Sequence, residues 1–240
     1  MKWWRWLAGV LAVAAVVPRA GAASKADMSR THHKYAARVE EPLAMESVQS
    51  LQCDLKGPLG NHVDAVSENW LLRAPKANPG IIDMFERRDR TWPVPTIMPW
   101  AGEFIGKYLT GTVEVLHVAD NEALRSQTEA LVDALLATQA DDGYMGPFPK
   151  NNRLLGEWDL WGHYHLIQGL LLYYDMTDDS RAYDAVVRAA ELICRTYLDG
   201  DRRPIDAGSP ECNLAILHGF AELYARTGNP RYMALIDRVI

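Results

Sequence analysis

Cysteine is scarce: Cys53, Cys194 and Cys212 are the whole complement, too few and too scattered for a disulfide scaffold or for closely spaced zinc ligands. Nothing resembles a Gly-rich phosphate loop. Positive charge is short as well, with 25 lysines and arginines against 31 aspartates and glutamates and a net charge of −6. That balance tells against nucleic acid as a partner. Phenylalanine occurs only four times, against eight tryptophans and ten tyrosines. The aromatic complement is therefore amphipathic, which suits a surface or cleft that handles something partly polar. What remains is an ordinary globular composition of 48% hydrophobic and 23% charged residues in 240, enough for one large domain or two small ones and not the make-up of a disordered chain.

Residues 1–22 read as a secretory signal. Lys2 and Arg5 form a basic start, and Leu7 to Val17 is an apolar run too short to cross a bilayer as a helix. Ala20-Gly21-Ala22 offers the small residues of a cleavage site. An N-terminal membrane anchor is the competing reading, since Arg19 is unusual so near a cut. Cleavage removes three basic residues and no acid, leaving 22 against 31 and a balance of −9. A secreted or periplasmic protein of that charge, with no stable membrane insertion after cleavage, does not seek acidic polymers or anionic surfaces. Export permits disulfides, but three cysteines cannot all pair within the chain.

Residues 23–47 are polar and aperiodic, as in a linker. Val48 to Val63 is ambiguous and open to a strand reading, and Val66 to Leu72 resembles a short helix. Ala74 to Pro99 carries Pro75, Pro79, Pro93, Pro95 and Pro99, which predicts mostly extended or looped chain. Helical periodicity then runs on, predicting helices over Ala101–Val118, Glu122–Gln139, Trp158–Met176, Ser180–Tyr197 and Pro210–Arg226, and another from Pro230. The joints Val118–Glu122, Met176–Ser180 and Arg226–Pro230 recur about every 50 to 58 residues, the mark of stacked helical hairpins. The second and fourth helices are amphipathic; the third and fifth are apolar nearly all round, and so buried. Alternation of this kind makes an inner and an outer ring. The fold class is all-α, an incomplete (α/α)6 toroid of helical hairpins preceded by an irregular N-terminal segment. The long connections, Ala140 to Glu157 and Asp199 to Ser209, must share one rim with the N-termini of the inner helices, where sites are commonly built.

That rim collects Trp100, Glu103, Asp142, Tyr144, Asp159, Trp161, His163, His165, Glu211 and Asn213. Carboxylates, imidazoles and large aromatics at the mouth of a helical ring point to carbohydrate: sugar CH faces stack on Trp and Tyr, and hydroxyls suit Asp, Glu, His and Asn. Each residue also has a plainer reading. Glu103, Asp159 and Glu211 fall in first helical turns, where the helix dipole favours an acid. Asp141-Asp142-Gly143 makes a turn, and Trp100, Trp158 and Trp161 can be core. His163 and His165 are two apart and diverge by about 200° on a helix, so one faces the cleft and the other packing. The same spacing disfavours a helical metal site, and none is expected here.

The runs Pro99-Trp100-Ala101-Gly102-Glu103-Phe104, Gln139-Ala140-Asp141-Asp142-Gly143-Tyr144, Trp158-Asp159-Leu160-Trp161-Gly162-His163-Tyr164-His165-Leu166-Ile167 and Glu222-Leu223-Tyr224-Ala225-Arg226-Thr227-Gly228 resemble the β-L-arabinofuranosidase-like glycoside hydrolases, six-hairpin enzymes of plant-polysaccharide breakdown. The resemblance covers about residues 50 to 240. It implies that His165 lines the sugar pocket and that Asp159, Trp161 and Glu211 stand at family pocket positions. Ser209 stands where the better-studied branch has a histidine, which leaves the sugar open. The family's catalytic glutamate and its zinc site with a cysteine nucleophile have no matching segment here. Residues 48–240 are thus expected to be the N-terminal part of a toroid that needs about 330 residues at this period, with catalytic groups beyond Ile240, possession of zinc deferred to the longer enzyme, and an isolated piece that is inactive. The reading is a secreted glycoside hydrolase for neutral plant-type glycans with a carbohydrate partner. A polysaccharide lyase using Lys150, Arg153, Arg202 or Arg203 to neutralise an acidic sugar, and a non-catalytic carbohydrate-binding helical protein, stand as alternatives.

Overall fold

The computed structural model describes residues 53, 55–91 and 97–239; the signal segment, the linker and the first residues of the region open to a strand reading lie outside them. Among the described residues every regular element is helical. The chain begins with α1 (Gly57–Val66), which runs on into a π-helical turn over Ser67–Leu71, then α2 (Ala74–Ala77) and α3 (Gly80–Arg87). This corrects two expectations, of a strand reaching Val63 and of extended or looped chain over residues 74–87; residues 88–91 and 97–99 are irregular, as expected. The prolines responsible sit where helices start: Pro58 and Pro75 in first turns, Pro79 at the cap of α3. There the missing N–H costs nothing and the fixed φ is already helical. Ile81 and Phe85, one turn apart on α3, are buried. The π turn is tied down where Tyr108 Oη donates to Leu71 O (2.8 Å) and Gln127 Nε2 donates to both Tyr108 Oη (2.7 Å) and Leu71 O (3.0 Å).

Three hairpins follow, α4 (Glu103–Val118) with α5 (Glu122–Ala137), α6 (Asp159–Thr177) with α7 (Ser180–Tyr197), and α9 (Ile216–Thr227) with α10 (Pro230–Asp237). Each second helix has an Asx N-cap that accepts a first-turn amide: Asn121 from Leu124 N (2.9 Å), Asp179 from Arg181 N (3.0 Å), Asn229 from Arg231 N (3.1 Å). Such a cap satisfies a donor the helix cannot, and is worth about 1 kcal/mol. The helix expected from Pro210 to Arg226 is broken instead. The short α8 (Pro210–Asn213) gives way to a tight turn, in which Ala215 N donates to Cys212 O and His218 N to Ala215 O, before α9 begins.

The inner helices α4, α6 and α9 stand side by side, with α5, α7 and α10 outside them. The α4–α6 seam is the tightest. A Cβ on Gly106 would lie inside contact distance of the His165 carbonyl, and one on Gly169 would come 2.8 Å from Gly106 O. Two glycines facing each other let the backbones approach. Leu109, Val113, Leu166, Leu170, Val186, Ile193 and Phe220 fill the space between the rings, each burial contributing about 1.5–3 kcal/mol. Glu129 and Arg188 are exposed on the outer wall and Leu170 is fully buried. Arg226 on α9 grips Asp175 on α6 with two bonds of 2.8 and 2.7 Å.

The entries to the inner helices are sewn together. Trp158 N donates to Pro99 O (3.1 Å), Ser209 N to Glu157 O (3.4 Å) and Asn213 Nδ2 to Glu157 O (2.9 Å). The three N-termini therefore share one rim. Among the described residues no helix is long and apolar enough to cross a membrane.

Candidate functional site

At this rim α6 presents two opposite faces. One is buried. Asp159, in the first turn, is 1% exposed; its Oδ2 accepts from Tyr144 Oη (2.8 Å) and from Leu154 N (2.7 Å). One turn on, His163 is equally buried. Met145 N donates to its Nε2 (3.4 Å), so the proton sits on Nδ1, which donates to Asp159 O (2.9 Å) and lies 3.1 Å from Asp159 Oδ1. Burial and the Asp159 carboxylate push the Tyr144 phenol well up, which keeps it a donor. The Tyr144 ring is covered by the Arg153 guanidinium at 4.4 Å and flanked by Arg88 at 5.7 Å. This network fastens the 138–158 connection to the start of α6.

Asn213 does the same from α8. It is fully buried, its Oδ1 accepts from Trp161 N (3.0 Å), and its Nδ2 donates to Glu157 O and Ala207 O. Trp161 N is one of the amides an α-helix leaves without an internal partner, so a residue 52 positions away caps α6. Asp142 closes a turn by accepting from Tyr144 N (3.0 Å) and is held by Arg153 (3.2 Å).

The other face of α6 is half open. Trp161, Tyr164, His165 and Gln168 follow at helical 3–4 spacing, all partly exposed, and so form one stripe. Trp161 Nε1 donates to Glu103 Oε2 on α4, whose other oxygen pairs with Lys107 Nζ at 2.9 Å. Lys107 Nζ lies 5.1 Å from the centre of the Trp161 ring, a cation–π contact. The Trp161 edge meets His165 at 4.3 Å, and Tyr164 joins His165 (4.8 Å) to His218 of α9 (5.8 Å), with Tyr164 Oη 3.3 Å from His218 Nδ1. His218 lies 3.9 Å from Glu222. Burial, seconded by Lys107 and opposed by Glu103, pushes the His165 imidazole down to about 4. It is neutral at physiological pH.

Of the ten residues singled out in the sequence, the structure joins Glu103, Trp161 and His165 on this open stripe. Tyr144, Asp159, His163 and Asn213 are joined too, but in the buried scaffold beneath the rim. Trp100 is 45% exposed and stands 6.0 Å from Trp158. Asp142 is exposed on the connection before α6, and Glu211 is exposed in the first turn of α8. Lys107, Tyr164, Gln168, His218 and Glu222 were not singled out. The 3–4 spacing from Trp161 to Gln168, and from Glu103 to Lys107, was the signal that could have found the first three. Two open clefts of about 530 and 500 Å³, one lined by Phe85, Arg88, Asp89 and Thr138 and the other by Asp133, Arg181 and Arg188, share no residue with the stripe.

Among the described residues no three His, Cys, Asp or Glu side chains converge on a metal-sized point. All three cysteines are unpaired, and burial pushes the Cys194 thiol up to about 12. These residues do not fit the zinc that the resemblance implies for a longer enzyme.

A family model described as β-L-arabinofuranosidase, GH127 catalytic domain, matches residues 60–240. Among solved structures the chain is similar to a GH127 β-L-arabinofuranosidase from Geobacillus stearothermophilus T6, with a TM-score of 0.64 and 19% identity over 78% of this chain and 32% of that one. It is also similar to a GH127 β-arabinofuranosidase (TM-score 0.58, 17% identity, 78% of this chain, 32% of that one) and to a glycoside hydrolase (0.54, 18%, 78% and 25%). The chain thus spans between a quarter and a third of their lengths. At such identity the likeness speaks for the fold: an all-α toroid of hairpins, part of an (α/α)6 barrel. No curated protein matches the chain.

Proposed function

The chain belongs to the GH127 β-L-arabinofuranosidase catalytic-domain family, and from that premise we propose that its three inner helices form the sugar-binding wall of an exported glycoside hydrolase acting on neutral, arabinofuranose-type glycans. The observation that carries the reading is the open stripe of α6 and its neighbours. A neutral imidazole, an indole fixed at its edge, a phenol and carboxylates on three adjacent helices offer hydrogen-bond donors and acceptors beside apolar ring surface. The exposed Trp100 supplies the open aromatic face at the rim, since Trp161 already carries Lys107 and His165 against its ring.

The wall binds and orients. Both oxygens of Glu103 are engaged, by Trp161 and Lys107, so it serves as a clamp that sets the indole against His165. Asp159 is sealed in and holds the rim connection. In this reading both act by positioning, Glu103 through Trp161 and Lys107 and Asp159 through Tyr144 and Leu154. Positioning of this kind is a large part of catalysis.

Charge favours a neutral sugar. Glu103 on α4 and Glu222 on α9 flank the α6 stripe, and Lys107 is paired with Glu103. Arg153 is mostly buried between Asp89 and Asp142, and Arg203 is paired with Asp206, so two of the cations a lyase would use are already engaged. The test is binding by the chain itself. Calorimetry should detect methyl β-L-arabinofuranoside and show no heat with oligogalacturonate; preference for the uronate would replace this reading with the lyase.

A further inference from the structure

Three members of the α6 stripe have ring partners: Trp161, Tyr164 and His165 touch one another. The fourth, Gln168, has a carboxamide nitrogen that is buried and makes no hydrogen bond among the described residues, and His165 Nε2, one turn before it, is in the same state. A buried polar nitrogen left unpaired is costly, and two on successive turns of one helix call for a common explanation. Residues three apart on a helix hold their Cβ atoms about 5–6 Å from each other, within the span of a single sugar ring. The two nitrogens are complementary in sense. The carboxamide N–H only donates, whereas a neutral imidazole nitrogen donates or accepts according to tautomer. A hydroxyl does both, so the hydroxyl groups of one sugar satisfy the pair.

We propose that Gln168 is a specificity-determining residue of this site, donating from its carboxamide to an oxygen of the same neutral sugar that His165 contacts. The inference rests on the reading of this face as saccharide-binding. Contact requires the partly exposed side chains around the two nitrogens to change rotamer, as interface side chains commonly do.

The experiment is a titration of the 15N-labelled chain with methyl β-L-arabinofuranoside, on wild type, Gln168→Met and Gln168→Glu. The Gln168 side-chain NH2 signals should shift on saturation. Gln168→Met, which keeps the volume and loses the donor, should bind about tenfold more weakly with an unchanged melting temperature. If Gln168→Met melts early, Gln168→Glu supplies the affinity comparison, and the wild-type NH2 signals decide independently of either variant. Unmoved NH2 signals, or equal affinity in a folded variant, would overturn the role of Gln168 and leave the glycosidase reading standing. Absence of binding by the wild type would overturn both.

Discussion

Gly106 and Gly111 lie on the same helix, and replacing each by alanine should move stability in opposite directions. Alanine is the better helix former by about 1 kcal/mol at either position. At Gly111 nothing lies within 4 Å of the new methyl group, so most of that gain should appear. At Gly106 the methyl group would sit 2.6 Å from Leu166 N and closer still to the His165 carbonyl. Carbon contacts settle at about 3.5–4.0 Å, so α4 and α6 must part by about 1 Å. The obstructing atoms are backbone and cannot rotate away. Overpacking costs about 1–3 kcal/mol, and more is expected where two long helices must separate along their seam. Net of the propensity gain, and with a cost at the upper end of that range, Gly106→Ala should lose about 1–2 kcal/mol and Gly111→Ala gain about 0.5–1. For a domain of this size each kcal/mol moves the melting temperature by roughly 2–4 °C. Urea melts at constant m-value measure both. Shifts of the same sign would refute the close-approach account of the inner seam.

Asn213→Ala removes the acceptor for Trp161 N and two donated bonds at a fully buried position; about 2–3 kcal/mol should be lost in thermal denaturation, and a loss below about 0.5 would show that the cap is dispensable. Tyr144→Phe takes one donor from the buried Asp159 carboxylate and should cost about 1–2 kcal/mol, read by the same melts. The His165 imidazole, held neutral first by burial and then by Lys107 down to about 4, has an unfolded value near 6.5. Its contribution to stability is complete above about pH 6.5, shrinks as the pH falls, and is gone below about 4. An NMR titration placing His165 near 6.5 would contradict this. Glu103→Gln, which removes the one charge that raises it, should lower the His165 value further.

The outer features were readable because their signals are local. Asn121, Asp179 and Asn229 mark helix starts by their own side chains, and the expected start of Ser180–Tyr197 is the observed one for that reason. The prolines of the N-terminal part were misread because a proline that breaks a helix and one that begins it look alike until the chain direction of the helix is known. The break at Leu214 was missed for another reason. Asn213 is turned toward Glu157 and Trp161, partners more than fifty residues away that no periodicity announces. For the site, spacing established that His163 and His165 diverge; which of them is buried depends on the rotation of α6, set by Gly106 and Gly169 against α4. The same rotation carries Asp159 inward and Trp161 outward.

The short, Asx-capped joints also bear on how fast the molecule assembles. Each hairpin closes over two or three residues, so most of its contacts are local and cheap to form, the pattern of fast-folding helical proteins. The ties at the rim are different. Pro99 with Trp158, and Trp161 and Glu157 with Asn213, join positions more than fifty residues apart, and they can close only after the hairpins have docked. A nucleus made of hairpins, with the rim stitched last, places this end of the helices among the late, low-φ contacts. Substitutions there should quicken unfolding while leaving the folding rate nearly untouched.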